Sequence, residues 1–114
     1  MPTYKLGDIV RVPFPYTDRA TRQRRPALVI SEQGLGANAE LLWVLMITSA
    51  ENRAWPGDVS LVSTYAEAGL PAPSLIRTVK IATIEARDAD VIGRIGEAEC
   101  AEVCRQVQAH LGQN

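Results

Sequence analysis

The chain has 114 residues, of which 46% are hydrophobic and 22% are charged, and its formal net charge is −1. This length predicts a single domain over residues 1–114, and the nearly balanced charge argues against a protein that coats nucleic acid non-specifically. The apolar stretches are shorter than the roughly 20 residues of a membrane-spanning helix, and the first residues lack the apolar core of a signal peptide. We therefore expect a cytoplasmic protein without a membrane partner.

Alternating apolar and polar residues predict several short strands followed by one helix. The strands are expected over residues 9–14, 26–31, 40–48, 59–62 and 74–84, with a turn at 87–90 leading into residues 91–96. A helix is predicted from 97 to 111 because apolar residues recur at helical spacing, at Cys100, Val103, Cys104, Val107 and Leu111. The pattern indicates a mainly β fold, a small antiparallel β-barrel with a C-terminal amphipathic helix.

The charge is unevenly distributed along the chain. Residues 1–30 contain six basic and two acidic side chains, whereas residues 85–114 contain three basic and six acidic ones. Four of the basic side chains fall within seven positions, at Arg19, Arg22, Arg24 and Arg25. A local basic patch attracts a polyanion even in a slightly acidic protein, because salt screens each charge beyond about 10 Å. The cluster fits a phosphodiester ligand, and it equally fits a solvated loop.

Few residues are suited to acid–base, nucleophilic or metal chemistry. The two cysteines fall on the apolar face of the predicted helix, and His110, the single histidine, is expected at the surface near its end. We find no CxxC pair, no carboxylates at metal-binding spacing, no Walker loop and no GxSxG elbow, so no cofactor and no metal are expected.

The remaining candidates are Arg25, at the head of the second strand, with Thr48 and Ser49 at the end of the third. RNA carries its own nucleophile, the 2′-hydroxyl, so fixed guanidinium and hydroxyl donors are enough to promote cleavage by stabilising the charge on phosphorus. The alternative is that Thr48 and Ser49 only satisfy backbone groups at a strand end.

Five segments resemble the MazF/PemK family of type II toxin–antitoxin endoribonucleases, and they occur in the order of that family. They are GDIV at 7–10, RRPALVIS at 24–31, ITS at 47–49, WPGDV at 55–59 and GLPAPS at 69–74. The resemblance implies an SH3-like barrel, a homodimer, and metal-independent, sequence-selective cleavage of single-stranded mRNA. The products would be a 2′,3′-cyclic phosphate (or 3′-phosphate) and a 5′-hydroxyl. It also implies a cognate antitoxin whose acidic, disordered tail occupies the basic groove.

The resemblance places the catalytic arginine on Arg25 and the catalytic threonine on Thr48. Arg25 would transfer a proton or stabilise the phosphorane charge, of which stabilisation suits the high basicity of arginine better, and Thr48 would orient the substrate and stabilise charge. The expected RNA-binding residues are Arg19, Arg22, Arg24, Ser49, Trp55, Arg77 and Lys80. Trp55 would stack an unpaired base, or else pack against the barrel rim.

Two other functions stay open at this point. A CcdB-type gyrase poison would share the barrel fold, but such toxins depend on a tryptophan near the C-terminus, whereas here the tryptophans are Trp43 and Trp55. A non-catalytic barrel that binds RNA or protein is the second alternative.

Overall fold

The computed structural model describes residues 4–13, 24–32 and 34–112. Within these ranges the chain forms six strands, a short 3₁₀ helix and one α-helix. The elements are β1 (Asp8–Pro13), β2 (Arg24–Val29), β3 (Leu41–Ser49), β4 (Val59–Ser60), β5 (Ser74–Glu85), the 3₁₀ helix (Ala86–Asp88), β6 (Asp90–Arg94) and α1 (Glu97–His110). The predicted mainly β fold with a C-terminal helix is confirmed. None of the helices in the described ranges has the length and apolar character needed to cross a bilayer.

All six strands belong to one curled antiparallel sheet with the order β4-β5-β3-β2-β1-β6. Because successive side chains point to opposite faces, Ile9 lies on one face of β1 while Val10 and Val12 lie on the other. Both faces are covered. The first core cluster contains Tyr4, Val10, Val12, Ala27, Val29, Leu42, Val44, Ala82, Ile84 and Ala89. The second contains Ile9, Leu28, Leu45, Ile47, Val59, Leu61, Ala68, Leu70, Ile76, Ile95 and Val103.

Helix α1 packs on the second cluster, as its apolar spacing predicts. Val103 is fully buried, and Cys100 and Val107 are partly buried beside it. Glu97 and Glu99 occupy the first turn, where the helix dipole favours negative charge. The prediction that Leu111 belongs to this buried face is wrong, since Leu111 lies just past the helix and is 71% exposed.

A bulge in β5 bends the sheet next to the end of β3. Leu45 pairs with Ile81, but the next residue, Met46, pairs with Arg77, so β5 contains three extra residues at this point. Such bulges bend a strand and redirect its side chains. Here the bulge spans residues 78–80 and sets the directions of Arg77 and Lys80.

The backbone of the edge strand β6 contacts the backbone of residues 68–69, which precede β5. A Cβ built on Gly93 would lie 1.7 Å from the carbonyl oxygen of Ala68, and one built on Gly69 would lie 2.2 Å from the carbonyl oxygen of Ile92. The two backbones therefore touch, which only paired glycines allow. This contact shields the outer edge of the sheet.

Several strand boundaries differ from the sequence predictions, and the largest differences concern β2 and β4. Strand β2 begins at Arg24 rather than at residue 26, because Arg24 and Arg25 pair with Pro13 and Val12 of β1. Strand β4 ends at Ser60 instead of residue 62. Phe14, the last residue of the first predicted strand, lies outside the described residues.

Candidate active site

The ends of β2 and β3 bring Arg25 and Thr48 together. The register pairs Ala27 with Met46, and Arg25 lies two residues before Ala27 while Thr48 lies two residues after Met46, so both are at the same end of the β2–β3 pair. Both line a cavity of about 240 Å³ at this end of the sheet. The lining residues are Arg25, Pro26, Ile47, Thr48, Ser49, Asn52, Pro71, Ala72, Pro73 and Ser74. None of these described lining residues carries a carboxylate.

Arg25 presents an unpaired guanidinium to this cavity. Its side-chain Nε is buried and has no hydrogen-bond partner, and Arg25 enters no ion pair with the described residues. Buried N–H groups in folded proteins nearly always have a partner, so Arg25 keeps unused hydrogen-bonding capacity in the wall of this cavity. A phosphate oxygen is the acceptor that best matches a guanidinium.

The hydroxyl of Thr48 accepts a hydrogen bond from the side-chain amide of Asn52, with 2.6 Å between Oγ1 and Nδ2. Asn52 is a cavity residue that the sequence analysis did not identify. It returns to Thr48 through a tight turn, in which the backbone N–H of Asn52 donates to the carbonyl of Ser49 at 3.0 Å. The signal was present as a serine at the first and an asparagine at the last position of a four-residue turn, 49–52.

The opposite wall of the cavity is apolar and fixed in place. It consists of Pro71, Ala72 and Pro73, which precede β5. The N–H of Ala50 donates to the carbonyl of Pro73 at 3.0 Å, and the hydroxyl of Ser74 donates to the carbonyl of Ala72 at 2.8 Å. The wall is thus bonded both to the turn after β3 and to the start of β5.

Trp55 lies after this turn, with cations against its ring. The guanidinium carbon of Arg77 is 4.1 Å from the ring centre and the Nζ of Lys80 is 5.1 Å from it, both within cation–π distance. The tryptophan nevertheless stays 38% exposed. The structure thus brings together three of the residues predicted to bind RNA: Trp55, Arg77 and Lys80.

Arg77 is turned inward. It is 5% exposed, its Nη1 forms an ion pair with Asp58 at 2.9 Å, and its Nη2 donates to the carbonyl of Arg53 at 2.8 Å. Asp58 also accepts the N–H of Trp55 at 2.8 Å. Both terminal nitrogens of Arg77 therefore hold the loop that carries Trp55, and in our proposal Arg77 supports that loop.

The four arginines of the basic cluster separate in the structure. Arg24 bonds to β1, β6 and the 3₁₀ helix that precedes β6. It forms an ion pair with Asp90 at 2.8 Å. It also donates hydrogen bonds to the carbonyls of Arg11 at 3.0 Å and Asp88 at 2.5 Å. Arg25 does not share these contacts and lines the cavity. Arg19 and Arg22 lie outside the described residues. The exposed Ser49 lines the cavity, and its hydroxyl accepts the N–H of Glu51 at 3.1 Å.

The histidine and the cysteines do not line the cavity. His110 lies 3.0 Å from the hydroxyl of Thr78, which itself donates to the carbonyl of Gly57 at 2.7 Å. Burial raises the pKa of the Cys100 thiol, with neighbouring Cys104 adding to the shift, which opposes a role as a nucleophile. Across residues 4–13, 24–32 and 34–112, no three His, Cys, Asp or Glu side chains gather as a metal site would require.

A family model described as the PemK-like, MazF-like toxin of type II toxin–antitoxin systems matches residues 5–111. The chain belongs to this family. The match covers both walls of the cavity, and the resemblance read from the sequence is confirmed. No curated protein sequence matches the chain significantly.

Solved structures share the fold over essentially the whole chain. A MazE–MazF complex from Deinococcus radiodurans superposes with a TM-score of 0.77 at 22% identity, covering 100% of both chains. An endoribonuclease bound to its cognate antitoxin, from a mycobacterial species, gives 0.74 at 16% identity, covering 100% of this chain and 98% of that one. The Mycobacterium tuberculosis toxin MazF-mt6 gives 0.72 at 18% identity, covering 94% and 98%. At these identities the likeness establishes the fold alone.

Proposed function

We propose that this MazF-like toxin is an endoribonuclease that cleaves single-stranded mRNA at selected sequences in the cytoplasm. The observation that carries the proposal is that Arg25 and Thr48 line the same cavity, and that the buried Nε of Arg25 has no hydrogen-bond partner among the described residues. A cationic donor and a neutral donor on adjacent strand ends suit a phosphodiester whose negative charge grows during reaction. Family membership supports the same conclusion, and one structural neighbour is itself described as an endoribonuclease.

In the proposed reaction the 2′-oxygen of the RNA attacks the adjacent phosphorus as the bond from phosphorus to the 5′-oxygen breaks. The 2′-hydroxyl loses its proton to water and the leaving 5′-oxygen gains a proton from water, which yields a 2′,3′-cyclic phosphate and a 5′-hydroxyl. Arginine keeps its proton in proteins, so Arg25 stabilises the negative phosphorane oxygens. Thr48 donates its hydroxyl proton to a second oxygen of the same group.

The donors of the cavity support cleavage without a metal ion. Its described lining offers guanidinium, hydroxyl and amide groups, whereas Mg²⁺ sites are built with carboxylates. We therefore expect cleavage to persist in EDTA. Loss of activity on chelation, with recovery on adding Mg²⁺, would contradict this part of the proposal.

We assign RNA contacts outside the cavity to Trp55 and Lys80, together with Arg19 and Arg22 of the basic cluster. The exposed part of the Trp55 ring offers a stacking surface, and Lys80 adds positive charge beside it. Ser49 faces the cavity and is placed to contact the nucleotide held there. Arg24 and Arg77 contribute by holding β2 and the Trp55 loop in position.

Two protein partners complete the proposal. The first is a cognate antitoxin whose acidic tail competes with RNA for the cavity, in keeping with the antitoxin complexes among the structural neighbours. The second is another copy of the chain. Trp43 and Ile81 lie on adjacent strands and are 47% and 45% exposed, which is typical of an interaction surface. Sedimentation analysis of Trp43→Ser against the wild type tests the homodimer. If the variant has the same mass in solution as the wild type, this face is not the dimer interface.

The direct test of the enzymatic proposal is cleavage of a long single-stranded RNA in EDTA by three proteins: wild type, Arg25→Ala and Arg87→Ala. Arg87 is the matched control, because its side chain is 80% exposed and pairs with Glu85 at the surface. We expect discrete fragments from the wild type and Arg87→Ala, and none from Arg25→Ala. Folding of each variant is checked by circular dichroism.

The remaining outcomes separate the alternatives. Cleavage by Arg25→Ala at the wild-type rate would refute the site assignment. Failure of all three proteins to cleave would favour a binding barrel or a protein-directed toxin. Resistance of an RNA with deoxyribose at the scissile nucleotide is expected, and efficient cutting of that substrate would exclude attack by the 2′-hydroxyl.

A further inference from the structure

We infer that Asn52 is a positioning residue that aims the hydroxyl proton of Thr48 at the scissile phosphate. The inference rests on the proposed ribonuclease function and adds a specific residue to it. Its basis is the short hydrogen bond of 2.6 Å between Asn52 Nδ2 and Thr48 Oγ1, at a cavity that both residues line.

Because Asn52 is the donor in this hydrogen bond, the hydroxyl proton of Thr48 stays available for another acceptor. A side-chain amide nitrogen donates and cannot accept, whereas a hydroxyl has one proton and two acceptor lone pairs. Asn52 therefore occupies a lone pair of Thr48 and leaves the hydroxyl proton available to another acceptor. Without this bond the hydroxyl rotates freely and can turn its proton toward other acceptors, so a directed donor is lost.

The support for Asn52 is built into the turn that follows β3. Its backbone N–H donates to the carbonyl of Ser49 at 3.0 Å, and the Ser49 hydroxyl accepts the N–H of Glu51 at 3.1 Å. The N–H of Ala50 is bonded to Pro73 in the opposite wall at 3.0 Å. The turn that carries Asn52 is thus closed on itself and bonded to the opposite wall of the cavity. Preorganised donors of this kind lower a barrier because they do not have to reorient during the reaction.

The alternative is that the bond only stabilises the turn. A purely structural bond would affect folding and substrate affinity, whereas a positioning bond acts on the chemical step and only through Thr48. A double-mutant cycle separates these cases, since two residues that act through one contact have non-additive effects. The variants are Asn52→Ala, Thr48→Val and the double variant.

We expect Thr48→Val to lower the single-turnover cleavage rate by at least about a hundredfold. Asn52→Ala should lower it by about tenfold with little change in KM or thermal midpoint, and should have no more than about a twofold effect in the Thr48→Val background. Asn52→Asp should be slower than Asn52→Ala, because a carboxylate would accept the Thr48 proton and repel the phosphate. Asn38→Ala, in an exposed turn, is the matched control and should match the wild type.

The outcomes distinguish this inference from the proposed function. If the wild type cleaves RNA and Arg25→Ala does not, but Asn52→Ala keeps the wild-type rate, the positioning role is refuted and the ribonuclease assignment stands. Equal losses from Asn52→Ala in the wild-type and Thr48→Val backgrounds would also refute it. If the wild type does not cleave RNA at all, the proposed function and this inference fail together.

Discussion

The ion pair between Asp58 and Arg77 lies beneath the Trp55 loop, and its removal tests how strongly that loop is anchored. Both side chains are only 6% exposed, and the paired atoms are 2.9 Å apart. The perturbation is Asp58→Ala. It leaves the Arg77 guanidinium buried with one remaining carbonyl partner, at Arg53, and removes the acceptor for the N–H of Trp55.

Breaking a buried pair by deleting one partner typically costs about 3–5 kcal/mol, because an uncompensated charge stays in the interior. At roughly 4 °C per kcal/mol for a domain of this size, Asp58→Ala should lower the thermal midpoint by roughly 12–20 °C. Adding Arg77→Met removes the buried charge as well. The double variant should therefore be more stable than Asp58→Ala by about 1–3 kcal/mol, even though it contains one more substitution.

The assay is urea unfolding followed by circular dichroism, with Arg87→Ala as the control for an exposed pair, expected to cost less than about 1 kcal/mol. Tryptophan fluorescence in the same titration, recorded in a Trp43→Phe background, reports on Trp55. A loss below about 1 kcal/mol for Asp58→Ala would refute the reasoning, since it would mean that the pair behaves as if it were solvated. Additive effects of the two substitutions would show that Asp58 and Arg77 do not stabilise each other.

Three further substitutions have expected effects on stability, each measured by urea unfolding. Arg25→Met should raise stability by about 1 kcal/mol while abolishing cleavage, because it removes a buried N–H without a partner; a loss would contradict that account. Gly93→Ala should cost about 3 kcal/mol or more, because its Cβ would overlap the carbonyl of Ala68, and a neutral result would refute the backbone contact. Gly96→Ser should add about 0.5 kcal/mol by capping α1 with Glu99 as its capping-box partner; no gain would show that the cap does not form.

Periodic patterns predicted most of the fold. The alternation in residues 74–84 and the helical spacing from residue 97 correspond to β5 and α1 within one residue at each end. The start of β2 was missed because Arg24 and Arg25 read as loop in composition. What places them in a strand is their pairing with Pro13 and Val12, a contact with a separate segment that no local pattern reveals.

The site was predictable only in part, for a related reason. Arg25 and Thr48 remained as candidates after other chemistry was excluded, the resemblance gave them catalytic roles, and the register of β2 with β3 explains why they share a cavity. Asn52 was missed because its role depends on a turn closing onto Thr48. The inward direction of Arg77 could not be read from the sequence either, since it follows from a bulge defined by the pairing of β5 with β3.

Three arginines of this sheet show how structural and functional charge can be told apart. Arg24 and Arg77 each hold an aspartate and at least one backbone carbonyl, so their charges are already compensated in the free protein. Arg25, the direct neighbour of Arg24, has a buried N–H without a partner at the edge of a cavity. A buried donor without a partner destabilises the free protein, and a bound anion would relieve this cost. Of these three arginines, Arg25 alone has no charged partner among the described residues, which is why we propose that it binds the scissile phosphate.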